Sequence, residues 1–281
     1  QPVSAGFIWH SAADVLPLRK TPSGMKHPLR TLLLAVCCGL AAACTQRQER
    51  LKLMSYNIRN GIGIDNIQDI GRIARVILRE APDLVALQEL DSATLRVDGR
   101  YIPGELGRMT GMHATFGRAI GFAGGSYGIG LLSRTEPLAV RSIPLPGREE
   151  ARVLLMAEFP DYTVCITHLS LTPEDRLASL PIIREATDTC RKPVLLAGDF
   201  NTGNAAAVLA GLGGGFRILS DTTRMTFPSD NPAVRIDYIL GRGLPTSATV
   251  AESAVDHTAT ASDHCPLWVT LVWKRGKQPG K

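Results

Sequence analysis

The stretch Val194-Leu195-Leu196-Ala197-Gly198-Asp199-Phe200-Asn201 (VLLAGDFN) decides how the rest of the chain is read. Residues 194–199 form a short apolar run with the length and composition of a buried strand. Under strand alternation Asp199 falls on the same side as Leu195 and Ala197, so its carboxylate is predicted on the core side of a sheet. An unpaired carboxylate there costs on the order of 2–7 kcal/mol unless it is hydrogen-bonded, neutralised or bound to a cation. Asp199 is therefore either a turn residue with local partners or part of a site.

The same placement recurs along the chain. Asn57 closes an apolar strand at residues 51–57, on the face of Leu51 and Leu53. Glu89 stands at the end of residues 83–90 and is expected on the face of Val85 and Leu87. His168 ends residues 162–168, Asn201 lies just past Asp199, and Asp237 sits at the start of residues 236–240. Asp263 and His264 precede the last strand, residues 267–273. Convergent carboxylates and amides make a hard-oxygen site, which is the chemistry of magnesium or manganese rather than zinc. Taken singly, each residue has a plain alternative. A strand-end Asp or Asn is commonly a turn residue, and a lone histidine is commonly a hydrogen-bonded surface or core group. That plain reading stays with His10, His113 and His257.

Helical spacing appears between the strands. Ile67, Ile70, Ile73, Ala74 and Ile77 recur with a helical period that Ala81-Pro82 stops. A short helix is predicted near residues 104–110, followed by strands at 114–120, 128–133, 138–143 and 152–159. Thr172, Pro173 and Asp175 form a helix start with Thr172 as the capping side chain, and Pro181 is expected to kink or interrupt that helix. An Ala-rich helix near 205–210 and a strand at 249–253 complete the pattern. No linker or tandem repeat divides it. The alternation predicts one α/β sandwich with sheets inside and helices outside, and the mixed connections argue against a purely parallel sheet.

At 281 residues, with 44% hydrophobic and 20% charged residues, the composition is that of a globular, core-forming protein. The net charge of +5 is concentrated at one end. Up to residue 43 there are four cations (Arg19, Lys20, Lys26, Arg30) and one acid (Asp14), which leaves 27 cations against 25 acids, or +2. So small an excess gives no electrostatic case for nucleic acid. Met25 opens a basic stretch followed by the apolar run 32–43, about the length of a signal h-region and too short for a comfortable membrane span. The run ends Leu40-Ala41-Ala42-Ala43-Cys44 and resembles a bacterial lipoprotein signal, which makes Cys44 a candidate for lipidation; with Leu40 one place early, ordinary signal-peptidase cleavage stays open. The expected organisation is a disordered upstream extension (1–24), a signal peptide (25–43), a linker (44–50), the folded domain (51–273) and a polar tail (274–281), in a protein exported to the bacterial cell envelope. Cys165, Cys190 and Cys265 lack the spacing of a zinc site and read as buried free thiols, with one disulfide as the alternative.

The ordered motifs SYNIRNG (55–61), LQEL (87–90), THLS (167–170), GDFN (198–201), RIDYIL (235–240) and SDHCPL (262–267) together resemble the endonuclease/exonuclease/phosphatase superfamily over roughly residues 51–273. The resemblance implies a deoxyribonuclease-I-like fold, a four-layer α/β sandwich with two central mixed sheets flanked by helices. It implies a Mg2+- or Mn2+-dependent hydrolase that cleaves a phosphodiester or phosphomonoester by in-line attack of an activated water. It makes Glu89 the main metal ligand, with Asn57 beside it and Asp263 near the metal. Asp199 would orient or activate the water, and Asn201 would contact phosphate. Asp237 would orient His264 and favour its protonated form beside the phosphorus, and His168 would donate to a phosphate oxygen, a histidine that abasic-site endonucleases usually lack. Where related sequences often carry an asparagine in the strand reading YGIGLLSR (127–134), this chain has Ile129-Gly130. Tyr127 is a candidate phosphate contact or packs against the sheet, and Arg235 is a candidate phosphate contact or a surface salt-bridge partner. The metal count, the general base and the substrate (lipid, sugar phosphate or nucleic acid) stay open. A secreted nuclease and a non-catalytic envelope binding protein are the competing readings; the protein is expected to be a monomer.

Overall fold

Two parallel strand–helix–strand units organise the chain, whose structure is a computed structural model describing residues 48–274. The first unit is β1 (Gln48–Asn57), α1 (Ile70–Glu80) and β2 (Leu84–Ser92). Helix α2 (Ile102–Thr110) then leads into β3 (His113–Phe122), β4 (Gly125–Ser133), β5 (Ala139–Leu145) and β6 (Arg152–Glu158). The second parallel unit is β7 (Thr163–His168), α3 (Pro173–Asp188) and β8 (Val194–Asp199). Helix α4 (Ala205–Leu212) and strands β9 (Arg217–Ile218), β10 (Asp237–Arg242), β11 (Thr249–Val255) and β12 (Leu267–Lys274) complete the order. One six-stranded sheet runs β11–β12–β1–β2–β4–β3 and the other β5–β6–β7–β8–β10–β9.

Strand alternation divides the apolar residues into layers. Leu53, Leu84 and Ile129 of the first sheet pack with Leu155, Ile166, Leu195 and Ile239 of the second, so this core lies between the sheets. Met54, Val85 and Leu87 face the other way, onto Ile70, Ile73 and Ile77 of α1 and Ile102 and Leu106 of α2. Cys165, Leu196 and Tyr238 likewise face Leu180 and Ile183 of α3 and Val208 and Leu212 of α4. The result is the four-layer sandwich expected from the sequence, with two mixed sheets inside and helices outside.

Several boundaries differ from the sequence expectation. Strand β1 begins at Gln48 rather than Leu51, because Gln48–Arg50 pair with Lys274–Val272 of β12; the linker expected at 44–50 thus ends sooner. Helix α1 starts at Ile70, since the Asp69 side chain accepts from the Arg72 amide and caps it there, leaving Ile67 exposed outside. Ala81, in the left-handed conformation, ends it. Pro181 does not break α3. Leu180, Ile183 and Thr187 stay buried on the sheet side, while Leu177, whose carbonyl loses its partner, is exposed. Thr172 does not cap α3 through its side chain; its hydroxyl donates to Glu149 instead. Cys165, Cys190 and Cys265 are free thiols. The expected extension, signal peptide and Cys44 lie outside the described residues, as does the tail from residue 275.

Gly198 is paired with Thr167 across β7 and β8 so closely that an added Cβ would stand 2.0 Å from the Thr167 carbonyl oxygen. Gly198→Ala must push the two strands apart. The expected result is a loss of about 1–3 kcal/mol of stability, read as a lower urea midpoint; an unchanged midpoint would mean that the strands separate at no cost.

Candidate active site

The polar residues singled out in the sequence converge where the parallel strands end. In the second sheet Asp199 is central, with His168 of β7 as its register partner on one side and Asp237 of β10 on the other. It lies on the inner face with Leu195 and Ala197, as alternation predicts. In the first sheet Asn57 ends β1 beside Gln88 of β2.

Glu89 reaches the site by a route that alternation alone does not give. Val85 and Leu87 face the helices, and a regular strand would send Glu89 to that same outer layer. The ladder to β4 instead jumps from Leu87↔Gly130 to Leu90↔Gly128, a β-bulge in which Glu89 takes φ 57°. The expectation that Glu89 shares a face with Val85 and Leu87 is therefore corrected. The bulge re-aims the carboxylate, and its Oε1 accepts from Asn57 Nδ2 at 2.9 Å.

Asn57 Nδ2 also donates to Asp199 Oδ2 at 3.1 Å, while its Oδ1 accepts from the Arg59 amide at 3.1 Å. The buried carboxamide thus spans the two sheets and separates two carboxylates. Asp199 Oδ1 accepts from the Asn201 amide at 2.8 Å. Asp199 Oδ2 lies 3.6 Å from His168 Nε2 and 3.7 Å from His264 Nε2. His264 in turn donates from Nδ1 to Asp237 Oδ2 at 2.9 Å, and its ring packs on Phe227 at 4.7 Å between centroids.

The surroundings drive the two histidines apart. Burial alone would lower the His264 value, but Asp237, then Asp199 and Asp263, outweigh it and raise it to about 10, so the ring is an imidazolium at neutral pH. His168 is pushed well below the usual imidazole range by burial, then by Arg152 and His264. It stays neutral. Burial and the neighbouring Asp237 carboxylate push Asp199 up to about 7.

Other expected members are placed less simply. Asp263 is partly exposed, 3.5 Å from Arg59. The Asn201 side chain donates to the Leu169 carbonyl at 2.8 Å and so ties the loop after β8 to the end of β7. Tyr127 is buried, and it lines a small cavity together with Glu150, Arg152 and His168. Arg235 is not the surface salt-bridge partner that the sequence offered as one alternative. It is buried, and its guanidinium donates to the Asp221 and Arg224 carbonyls and to Ser220 Oγ while lying over Tyr238. Sequence reasoning missed Ser262, whose hydroxyl donates to the Asn57 carbonyl at 2.7 Å and fixes the loop bearing His264. It also missed Thr226 Oγ1, which accepts from the Asp237 amide, and Arg152, which meets His168 Nδ1 at 3.2 Å. The SDH motif contained the first; no pattern marked the other two.

A divalent cation fits the donor set at one end of this row. Glu89 is half-buried with only Oε1 engaged by Asn57, Asp263 is partly open, and both offer hard oxygens. Asp199, Asp237 and His264 bring ligand-type atoms within 4.8 Å of one another. His264 Nδ1 and Asp237 Oδ2 are hydrogen-bonded to each other, however, so that group reads as a proton-handling cluster. Asn57 presents its N–H groups to the carboxylates; it would offer oxygen to a cation only with its carboxamide turned over.

Comparison with known proteins agrees with this fold. The model of the Endonuclease/Exonuclease/phosphatase family matches residues 54–264. An endonuclease/exonuclease/phosphatase structure from Beutenbergia cavernae is 23% identical with a TM-score of 0.64, over 80% of this chain and 72% of that one. The mannosyl-6-phosphatase of Bacteroides thetaiotaomicron is 19% identical with a TM-score of 0.63, over 79% of this chain and 100% of that one. TDP2 of D. rerio, in complex with single-strand DNA product, is 23% identical with a TM-score of 0.60, over 79% of this chain and 99% of that one. No curated protein sequence matches.

The Asp237–His264 pair has a pH signature. The folded-state value of His264 stands above its unfolded value, so the pairing contributes in full below about pH 6.5 and fades as pH rises towards about 10. The stability gap between the wild-type protein and Asp237→Asn is expected to be widest near about pH 6 and to narrow by about pH 9, measured by urea unfolding. A gap that widens with pH would contradict the assignment of the imidazolium.

Proposed function

Because the chain belongs to the endonuclease/exonuclease/phosphatase family, we propose that it is a divalent-metal-dependent hydrolase of phosphodiesters or phosphomonoesters, acting by direct in-line attack of water. The observation that carries this reading is the continuous row Glu89–Asn57–Asp199–His264–Asp237, in which each group touches or neighbours the next. Glu89 and Asp263, with Asn57 beside them, would hold Mg2+ or Mn2+, which supplies positive charge to phosphate oxygens. Asp199, raised to about 7, is suited to take a proton from the attacking water near neutral pH. His264, held protonated by Asp237, supplies charge beside the phosphorus, and neutral His168 donates one N–H to a non-bridging oxygen. No covalent nucleophile enters.

A nucleic-acid substrate is the second reading. The fold likeness to TDP2 allows it, and the near-neutral charge outside the leader counts against it. A non-catalytic binder would have no use for so complete a set of acids and histidines. The basic and apolar leader ending at Cys44 supports an exported, lipid-anchored envelope protein.

Hydrolysis of bis(p-nitrophenyl) phosphate with added Mg2+ or Mn2+ tests the chemistry. EDTA should abolish it, and Glu89→Gln and His264→Ala should each lower kcat/KM by at least about 10²-fold. A wild-type protein as inactive as His264→Ala on diesters and monoesters alike would sink the enzyme reading. In a bacterial host, incorporation of labelled fatty acid should disappear in Cys44→Ser; persistence would remove the lipid anchor.

A further inference from the structure

His168 is the only histidine among the described site residues with a cation against its ring nitrogen. Arg152, buried at the start of β6, places Nη1 3.2 Å from His168 Nδ1. A guanidinium has donors and no acceptor, and it does not deprotonate in proteins. The Nδ1 atom it meets must therefore be the lone-pair nitrogen, which leaves the ring proton on Nε2. That nitrogen faces the reacting end of the site, 3.6 Å from Asp199 Oδ2.

Arg152 is itself held in place. Its Nη2 donates to Glu149 Oε1 at 3.3 Å, and Nη1 forms an ion pair with Glu150 Oε1 at 3.1 Å. Glu149 accepts in turn from Ser170 Oγ at 2.8 Å and from the Leu171 amide at 2.7 Å. The loop that follows His168 thus fixes the arginine that fixes His168.

Resting on the phosphoesterase reading above, we propose that Arg152 is a positioning residue that selects the Nε2–H tautomer of His168 and so gives the site a neutral donor aimed at a phosphate oxygen. With the opposite tautomer, Nε2 would present a lone pair to an anionic phosphate and repel it. Among the described residues Arg152 is the group hydrogen-bonded to Nδ1; the aspartate that sets His264 does so by accepting a hydrogen bond, and Arg152 does the reverse by donating one.

Long-range proton–nitrogen NMR of the imidazoles, assigned with His168→Gln, tests this on the resting protein without substrate. The wild-type His168 ring should carry its proton on Nε2. In Arg152→Met that preference should be lost, with kcat on bis(p-nitrophenyl) phosphate falling roughly ten- to a hundredfold and KM changing little; Arg152→Lys should recover part of both. A wild-type ring protonated on Nδ1, or a tautomer unchanged in Arg152→Met while activity falls, would overturn the proposal. The wild-type spectrum decides even where Arg152→Met does not fold. An Nε2–H ring in an inactive wild-type protein would instead overturn the phosphoesterase reading and leave the hydrogen-bond assignment standing.

Discussion

Asn57 donates to Glu89 from one side and to Asp199 from the other, at 2.9 and 3.1 Å, and through this carboxamide the two sheets share one site. Two carboxylates so close would repel in a buried, weakly screened setting. A neutral donor between them satisfies one oxygen of each without adding charge; the second oxygen of Asp199 is taken by the Asn201 amide. Its own position is fixed by the Arg59 amide on its oxygen and by Ser262 on its backbone carbonyl. The spacing of the row therefore follows from how β1 ends.

Identical side chains take opposite roles beside Asp199 because of what touches their other ring nitrogen. His264 meets a carboxylate and becomes an imidazolium; His168 meets a guanidinium and remains neutral. Both are buried, so desolvation lowers the value of each, and the partner decides whether that lowering survives. The site thereby holds one full positive charge and one neutral donor around the place where a phosphate would sit, rather than two charges that would repel each other.

How much of this was legible in the sequence depends on the range of the cause. Asp199, Asp237 and His264 could be read because each is a polar residue abutting an apolar strand, and the burial of those strands is a local pattern. The location of Glu89 could be read, but not its direction, because the bulge arises from the ladder that Gly128 and Gly130 of β4 form with β2, some forty residues on. Arg152 sits in the charged run GREEAR, which looks like a solvated turn; only the packing of β6 against β7 buries it. Pro181 shows the same limit from the other side, since packing of α3 on its sheet overrides a local signal for a break. Arg235 looked like a surface cation and is consumed by carbonyls of a loop that has no periodic pattern to read.

The place of β12 carries a further consequence. The last strand lies between β11 and β1, so the first strand made is flanked on that side by the last. Ser262, at the entrance to β12, binds the Asn57 carbonyl across 205 residues of sequence. During synthesis β1 must wait with an open edge until β12 has emerged, and closing so long a loop makes for slow, late assembly. The row of site residues is thus complete only once residues 262–274 are in place. A chain halted before Ser262 has most of its carboxylates, yet it lacks both His264 and the tether that sets Asn57, and without β12 the outer edge of β1 stays open.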